Sequence, residues 1–328
     1  MAVGSYAVAS DTGRKRRRNE DNYVVTPPLF AVADGMGGAQ AGEVASKLAA
    51  STLEGGEDAG ALSGVERVAA LIQEANRRVY ERSTSDPAAS GMGTTMTVAV
   101  VEGMTVVIGH VGDSRAYLVR EGRMEQLTED HSLVNELLKS GKLSPEEAHV
   151  HPQRSVITRA VGTDPDVDAD AFTIDAHDGD VFLLCSDGLT DMVEDEDILD
   201  LLHRHRDDLD RAVKALVAAA NRGGGEDNIT AVAFRVAPGR GADETLRMPV
   251  QVEPDEETVE AVAPEPAVDT MVIPPERIDA ELLEAGSPEA LAAARREPID
   301  TSARVRLALT MVALLALAVA LLAWGLLR

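Results

Sequence analysis

Between residues 5 and 236 two spacings of apolar residues alternate along the chain. Short runs rich in Val, Ile and alternating apolar positions lie at 5–10, 29–33, 94–101, 105–111, 116–120, 168–174, 181–185 and 229–236. These read as strands, because successive side chains of an extended chain point to opposite faces. Longer stretches at 42–53, 65–83, 197–204 and 209–221 repeat apolar residues every three or four positions, which gathers them on one side of a helix. Strands and helices come in blocks instead of strict β-α alternation. The pattern therefore predicts an α+β protein, with antiparallel sheets carrying helices on their outer faces, over a doubly wound parallel sheet. The sequence shows no internal repeat.

The pattern breaks after Val236. Residues 237–303 hold 9 of the 15 prolines, 16 acidic and 5 basic residues, with neither strand alternation nor a sustained apolar stripe. At a net charge of −11 such a segment cannot bury enough apolar surface to offset its ordering entropy. A disordered linker is expected there, with one short helix near 279–296. Residues 307–327 then run for 21 positions without a charge. As a helix this run is about 31 Å long, enough to span a bilayer and longer than a core helix with no polar face usually is. Arg295, Arg296, Arg304 and Arg306 precede it and only Arg328 follows, which by the positive-inside bias keeps the preceding chain in the cytoplasm. The opening MAVGSYAVAS has no basic region and no long apolar core, so it does not read as a secretory signal. The expected organisation is a folded domain at 1–236, a linker at 237–303 and a single transmembrane helix with flanking arginines at 304–328, anchored in the cell membrane.

Charge narrows the partners. The chain sets 31 Lys and Arg against 56 Asp and Glu, a formal charge of −25, of which residues 1–236 carry −17. A phosphate backbone would be repelled, so nucleic acid is not an expected partner, whereas cations are. The single cysteine, Cys185, cannot form an internal disulfide or a thiolate zinc site, and its apolar strand makes it a core residue before a nucleophile.

Three apolar strands end in an aspartate: LFAVAD-G at Asp34, IGHVGD-S at Asp113 and FLLCSD-G at Asp187, while Asp227 precedes the strand ITAVAF. Singly, each Asp-Gly is a turn signal. Together, carboxylates at neighbouring strand ends would repel one another unless cations sat between them. Oxygen donors without cysteine suit Mg²⁺ or Mn²⁺ more than Zn²⁺. Gly35 lets its backbone carbonyl reach a metal, and Gly37 and Gly38 allow a tight turn into the helix that follows. Two such ions about 3.5–4 Å apart would bind a phosphoryl group, lower the pKa of a bridging water and stabilise in-line displacement. Arg16, in RKRRRNED, is the candidate for a fixed cation on the phosphoryl oxygens, since a guanidinium binds phosphate through two parallel hydrogen bonds.

Seven stretches, RRRNEDN (16–22), ADGMGGAQAGEVAS (33–46), GMGTT (91–95), HVGDSRAYL (110–118), LTEDHSLV (127–134), CSDGLTD (185–191) and EDNIT (226–230), occur in an order that resembles the metal-dependent serine/threonine protein phosphatases of type 2C, particularly their membrane-anchored bacterial members. The resemblance covers about residues 5–236 and implies an α-β-β-α sandwich of two antiparallel sheets flanked by helices. It further implies that Asp34 bridges two Mn²⁺ or Mg²⁺ ions, that Asp187 and Asp227 complete one of them, and that the Gly35 carbonyl and Glu20, the latter through water, hold the other. Asp21 is implied to stand behind these ligands. Asp113, Asp187 and Ser155 match the positions that hold a third ion in bacterial members. Arg16 sits five residues before Asp21, the spacing of the family's phosphate-binding arginine, while Arg14, Lys15 and Arg18 read as a solvated basic loop. Met36 stands where eukaryotic members place a histidine general acid, and Met has no proton to give. His131 is expected to make a structural hydrogen bond near a helix start at Ser132, with a general-acid role as the lesser reading. Residues 139–152 occupy the place of the family's flap beside the active site.

The expected function is a membrane-tethered phosphatase that removes phosphate from serine and threonine of proteins, among them receptor-like Ser/Thr kinases at the same membrane. The alternatives are a pseudophosphatase adaptor, which the retained aspartates argue against, and an enzyme acting on small phosphate esters. In the linker, Thr245, Thr258 and Thr270 each follow an acidic residue and precede an apolar one. Ile273 lies three positions beyond Thr270, a spacing that resembles ligands of phosphothreonine-reading forkhead-associated domains.

Overall fold

A computed structural model describes residues 2–37, 41–55, 62–149, 151–238 and 271–272. In chain order the elements are β1 (Ala2–Asp11), β2 (Asp21–Thr26), β3 (Leu29–Met36), α1 (Ala41–Glu54), α2 (Gly64–Ser85), a 3-10 turn (Pro87–Ala89), β4 (Gly93–Thr94), β5 (Met96–Glu102), β6 (Thr105–Val111), β7 (Arg115–Arg120) and β8 (Arg123–Gln126). They continue with α3 (Leu133–Lys139), α4 (Pro145–His149), β9 (Val156–Ile157), β10 (Asp170–Asp175), β11 (Val181–Cys185), α5 (Asp187–Thr190), α6 (Asp195–Arg204), α7 (Leu209–Gly223), β12 (Ile229–Ala237) and β13 (Met271–Val272).

Two antiparallel sheets form the centre, one ordered β1-β12-β11-β7-β8 and the other β10-β6-β5-β3-β2, with β4 on β3. Alternation along each strand sorts its side chains into layers. Phe30 and Val32 of β3 meet Phe182, Leu184, Val232 and Phe234 between the sheets, while Leu29 and Ala31 face Ala45, Ala49 and Ile72 of α1 and α2. On the opposite side Leu183, Cys185, Ala231 and Ala233 pack under Ile198 of α6 and Val213 and Leu216 of α7. The Phe30 and Phe234 rings stack at 4.2 Å across the two sheets, and Phe182 continues the stack within its sheet at 5.1 Å from Phe234. The layers run helix, sheet, sheet, helix, so the expected α+β arrangement with antiparallel sheets is the observed one.

The structure adds and corrects. Strands β2, β8 and β9 and helices α4 and α5 lie outside the elements that periodicity predicts, because each is too short to show an alternation or a stripe, while α3 begins after Ser132 where a helix start is expected. Asp34 does not end its strand: β3 continues to Met36, held there by pairing of Gly35 with Thr94 and of Met36 with Gly93. Within 237–303, expected to lack regular structure, β12 extends to Ala237 and Met271–Val272 forms a parallel pair with β9. The rest of that stretch, with Thr245, Thr258 and Thr270, and the apolar run 307–327 lie outside the described residues. Among the described residues no helix is long and apolar enough to cross a membrane.

Candidate metal centre and phosphate site

Asp34 is placed by backbone first. Its N–H donates to Thr95 Oγ1 at 2.9 Å, and its carbonyl accepts from the Thr94 hydroxyl at 2.7 Å and the Thr95 N–H at 2.8 Å. The GMGTT stretch is thus a clamp on the strand that carries the aspartate. Gly35 next to it is a point of close approach: a Cβ there would collide with the Gly42 carbonyl and stand 2.6 Å from the Glu20 carbonyl. Gly35 N–H in turn donates to that Glu20 carbonyl at 3.1 Å, which brings the Glu20 backbone against β3.

Asp187 opens α5 immediately after β11, and Asp227 lies in the loop entering β12, its Oδ1 accepting the Asn228 N–H at 2.7 Å. Asn228 also accepts the Glu20 N–H at 2.7 Å and donates to the carbonyls of Thr12 and Arg18, so one amide side chain fastens the β1–β2 loop at three points to the loop entering β12. Asp21 is buried at the start of β2 and accepts the Ser186 hydroxyl at 2.8 Å. Asp21 and Asp34 are direct cross-strand partners of β2 and β3, and the Asp34 carboxyl lies in the field of both Asp21 and Asp187.

Electrostatics register this crowding. Burial, then Asp21, Asp187, Asp227 and Asp113, hold the Asp34 carboxyl well above the usual carboxylate range. Asp187 is raised likewise by burial and then by Asp113, Asp227 and Asp191. Burial pushes Asp21 up to about 6, and burial with Asp130 and Asp191 pushes Asp113 up to about 7. Asp187 Oδ1 is buried without a hydrogen-bond partner. Carboxylates forced together, with an orphaned oxygen among them, are a donor set that a hard divalent cation relieves. Among the described residues no three acidic, His or Cys groups already close on one point.

Arg16 supplies the opposite charge. Its Nη2 is 2.7 Å from Asp227 Oδ2 with the side chain 18% exposed, whereas Arg14, Lys15, Arg17 and Arg18 are exposed. Burial works against its charge, but Asp227, then Asp34 and Asp187, raise its pKa above the ordinary guanidinium value.

Asp113 lies on the β6–β7 loop, reached through Gly112 at φ +110°, where a Cβ would strike the Thr95 side chain. A cavity of about 570 Å³ opens from Asp113, Asp187 and Ser155 and is bordered by Asp191, Arg154 and Pro145. The stretch expected as a flap therefore contributes α4 to its wall. Asp191 was quoted within CSDGLTD but given no role; it adds its field to Asp113 and Asp187 and pairs with Arg154 at 3.5 Å. Its place four residues after Asp187, one helical turn on, was the available signal.

His131 is structural. Its Nδ1 accepts the Gly112 N–H at 3.1 Å and its Nε2 stands 3.3 Å from Asp170, so both ring nitrogens are engaged, and burial, then Arg159, lowers its pKa. Ser132 caps α3, accepting the Asn135 N–H at 3.3 Å. Cys185 is wholly buried and its thiol is pushed up to about 12 by burial, which removes it as a nucleophile.

Comparison with known proteins places the fold in a family. Residues 15–225 match the family model described as Protein phosphatase 2C. The serine/threonine phosphatase stp of Listeria monocytogenes is 42% identical over 231 residues, covering 67% of this chain and 91% of that protein. The serine/threonine protein phosphatase PstP of Mycobacterium tuberculosis is 42% identical over 230 residues, covering 69% of this chain and 44% of its own length. The crystal structure of Mycobacterium tuberculosis PstP/Ppp superposes with a TM-score of 0.68 at 38% identity, over 73% of this chain and all of that one. A structure of the PstP catalytic domain in complex with two manganese ions gives 0.66 at 37% identity over 73% of this chain and all of that one. With a family match over most of the folded part and relatives this similar, the chain belongs to the protein phosphatase 2C family.

Proposed function

We propose that the chain is a metal-dependent protein phosphatase that hydrolyses phosphoserine and phosphothreonine on proteins. The observation that carries this reading is a half-buried guanidinium, Arg16, fixed at 2.7 Å from Asp227 and within the field of Asp34 and Asp187, so that a phosphate-binding cation adjoins a crowded carboxylate cluster. Asp34, Asp187 and Asp227, with the Gly35 carbonyl and Glu20, would hold two Mn²⁺ or Mg²⁺ ions; Asp113, Asp187 and Ser155 would hold a third. When bound, the ions supply Lewis-acid activation of water at neutral pH and compensation of phosphoryl charge.

The chain's own residues do the rest. Arg16 binds phosphoryl oxygens through its guanidinium edge and orients the phosphorus, with Asp227 fixing the guanidinium before substrate arrives. Asp21, held by Ser186, keeps Asp34 in place from behind. Met36 carries no proton and both nitrogens of His131 are engaged, so neither residue protonates the leaving oxygen. The 570 Å³ cavity gives the flanking peptide room that a small ester would not need, which supports a protein substrate.

The apolar run 307–327 and its flanking arginines support a membrane tether with the catalytic domain in the cytoplasm. A tether would raise encounters with membrane-bound Ser/Thr kinases through effective concentration. Thr270, flanked by acid and Met271, is the linker position that would suit a forkhead-associated domain once phosphorylated. Turnover of a phosphoserine and phosphothreonine peptide panel against p-nitrophenyl phosphate tests the substrate class: kcat/KM should favour the peptides, and equal or greater efficiency on the small ester would reject a protein substrate.

A further inference from the structure

Two residues from the acidic stretch return to the folded part. Met271 pairs with Val156 and Val272 with Ile157, in parallel, making β13 a neighbour of β9. The other side of β9 is already occupied: Ser132 bridges Ile157, and the Thr158 N–H donates to the His131 carbonyl at 2.8 Å. These three strips form a small ribbon outside the two main sheets.

Its location gives the ribbon a consequence. Arg154 and Ser155, immediately before β9, border the cavity that opens from Asp113 and Asp187. Arg154 also reaches across to Asp191 at 3.5 Å and Glu226 at 3.6 Å, joining two loops of the site. Arg159, just after β9, pairs with Asp170 at 3.1 Å, and Asp170 contacts His131. A strand laid along β9 therefore acts on the segment from which the cavity wall is hung.

Sequence and chain length both permit this. Met271, Val272 and Ile273 are three consecutive apolar residues in an otherwise acidic, Pro-rich stretch, two of them β-branched. A parallel pair needs a connection of a dozen or more residues, and the chain from Ile157 to Met271 exceeds that.

We propose that β9 is the docking strip for this chain's own Met271–Val272 segment, which adds to it as a parallel strand and braces the wall of the cavity carried by Arg154 and Ser155. The contact is made by backbone pairing and stands whether or not the catalytic reading is right.

Hydrogen exchange of the full chain tests it, comparing wild type with a Met271→Pro/Val272→Pro double variant, which removes both N–H donors of the added strand. Amides of 154–160 should exchange on the order of fivefold faster in the variant, while those of β3 and β12 keep their protection. Wild-type protection of 154–160 should not change on dilution. Equal exchange in the two proteins overturns the proposal. Faster exchange throughout β3 and β12 overturns the local brace in favour of general stabilisation, and protection that fades on dilution assigns the strand to a second copy of the chain.

Discussion

Arg16 differs from the basic residues around it by one turn of direction: it lies against Asp227 while Arg17 and Arg18 are exposed. Arg16→Ala should lower kcat/KM by roughly 10- to 100-fold, the range for losing a charged hydrogen bond, while Arg17→Ala should leave it near wild type. A fall in kcat equal to that in kcat/KM would place the contact in the transition state alone, and a raised KM with kcat kept would mean uniform phosphate binding. For Asp34 and Asp187 the burial and mutual repulsion that raise their pKa values give a two-part expectation. Asp34→Ala or Asp187→Ala should cut turnover at least ~100-fold by removing a ligand. In metal-free buffer each should melt no lower than wild type, because a repelling charge has gone; thermal denaturation in EDTA checks this, and a large drop in Tm would mean that the carboxylate is a structural prop.

Elements decide how these side chains meet. β3 crosses the start of α1 where Gly35 faces Gly42, and neither the Gly42 nor the Glu20 carbonyl leaves room for a Cβ at Gly35. Gly35→Ala should cost about 2–3 kcal/mol, roughly 5–10 °C in Tm, with activity falling in step, whereas Gly55→Ala, whose nearest neighbour is 3.6 Å away, should be close to neutral. Calorimetry of the two variants separates a packing cost from a general intolerance of alanine. The long elements were legible because their apolar period is strong: the stripe at 65–83 became α2, Gly64–Ser85, and the run at 105–111 became β6, Thr105–Val111. Elements without such a stripe were not. β2 hides DNYVVT between a basic run and two prolines, and its six residues are too few and too mixed to show an alternation, although they pair with β3 as an adjacent hairpin. The site followed the same division. Aspartates beside glycine at apolar strands could be read directly, while Asn228 fastening the β1–β2 loop to its own loop and Asp191 acting on Asp187 and Asp113 depend on contacts between distant segments.

Across the whole molecule an acidic domain concentrates its unfavourable charge at one place. In the metal-free protein Asp21 at about 6, Asp113 at about 7, and Asp34 and Asp187, both held well above the usual carboxylate range, all have folded pKa values above those of an unfolded chain. The folded state then binds more protons than the unfolded one, so stability is highest when these groups are protonated and declines as pH rises from about 4 through 7. Tm in EDTA should fall between pH 5 and 8, and added Mn²⁺ should flatten that decline by neutralising the same charges; a Tm that rises over this range in EDTA would reverse the sign. The central claim is that carboxylate-held divalent ions and not a side-chain nucleophile drive phosphate hydrolysis. Its most direct test is turnover of a phosphothreonine peptide by the full chain after EDTA stripping and again after Mn²⁺ is restored. Activity should vanish and return, with no loss on treatment with a thiol reagent because Cys185 is buried. Undiminished turnover by the stripped enzyme, or inactivation through Cys185, would contradict the account.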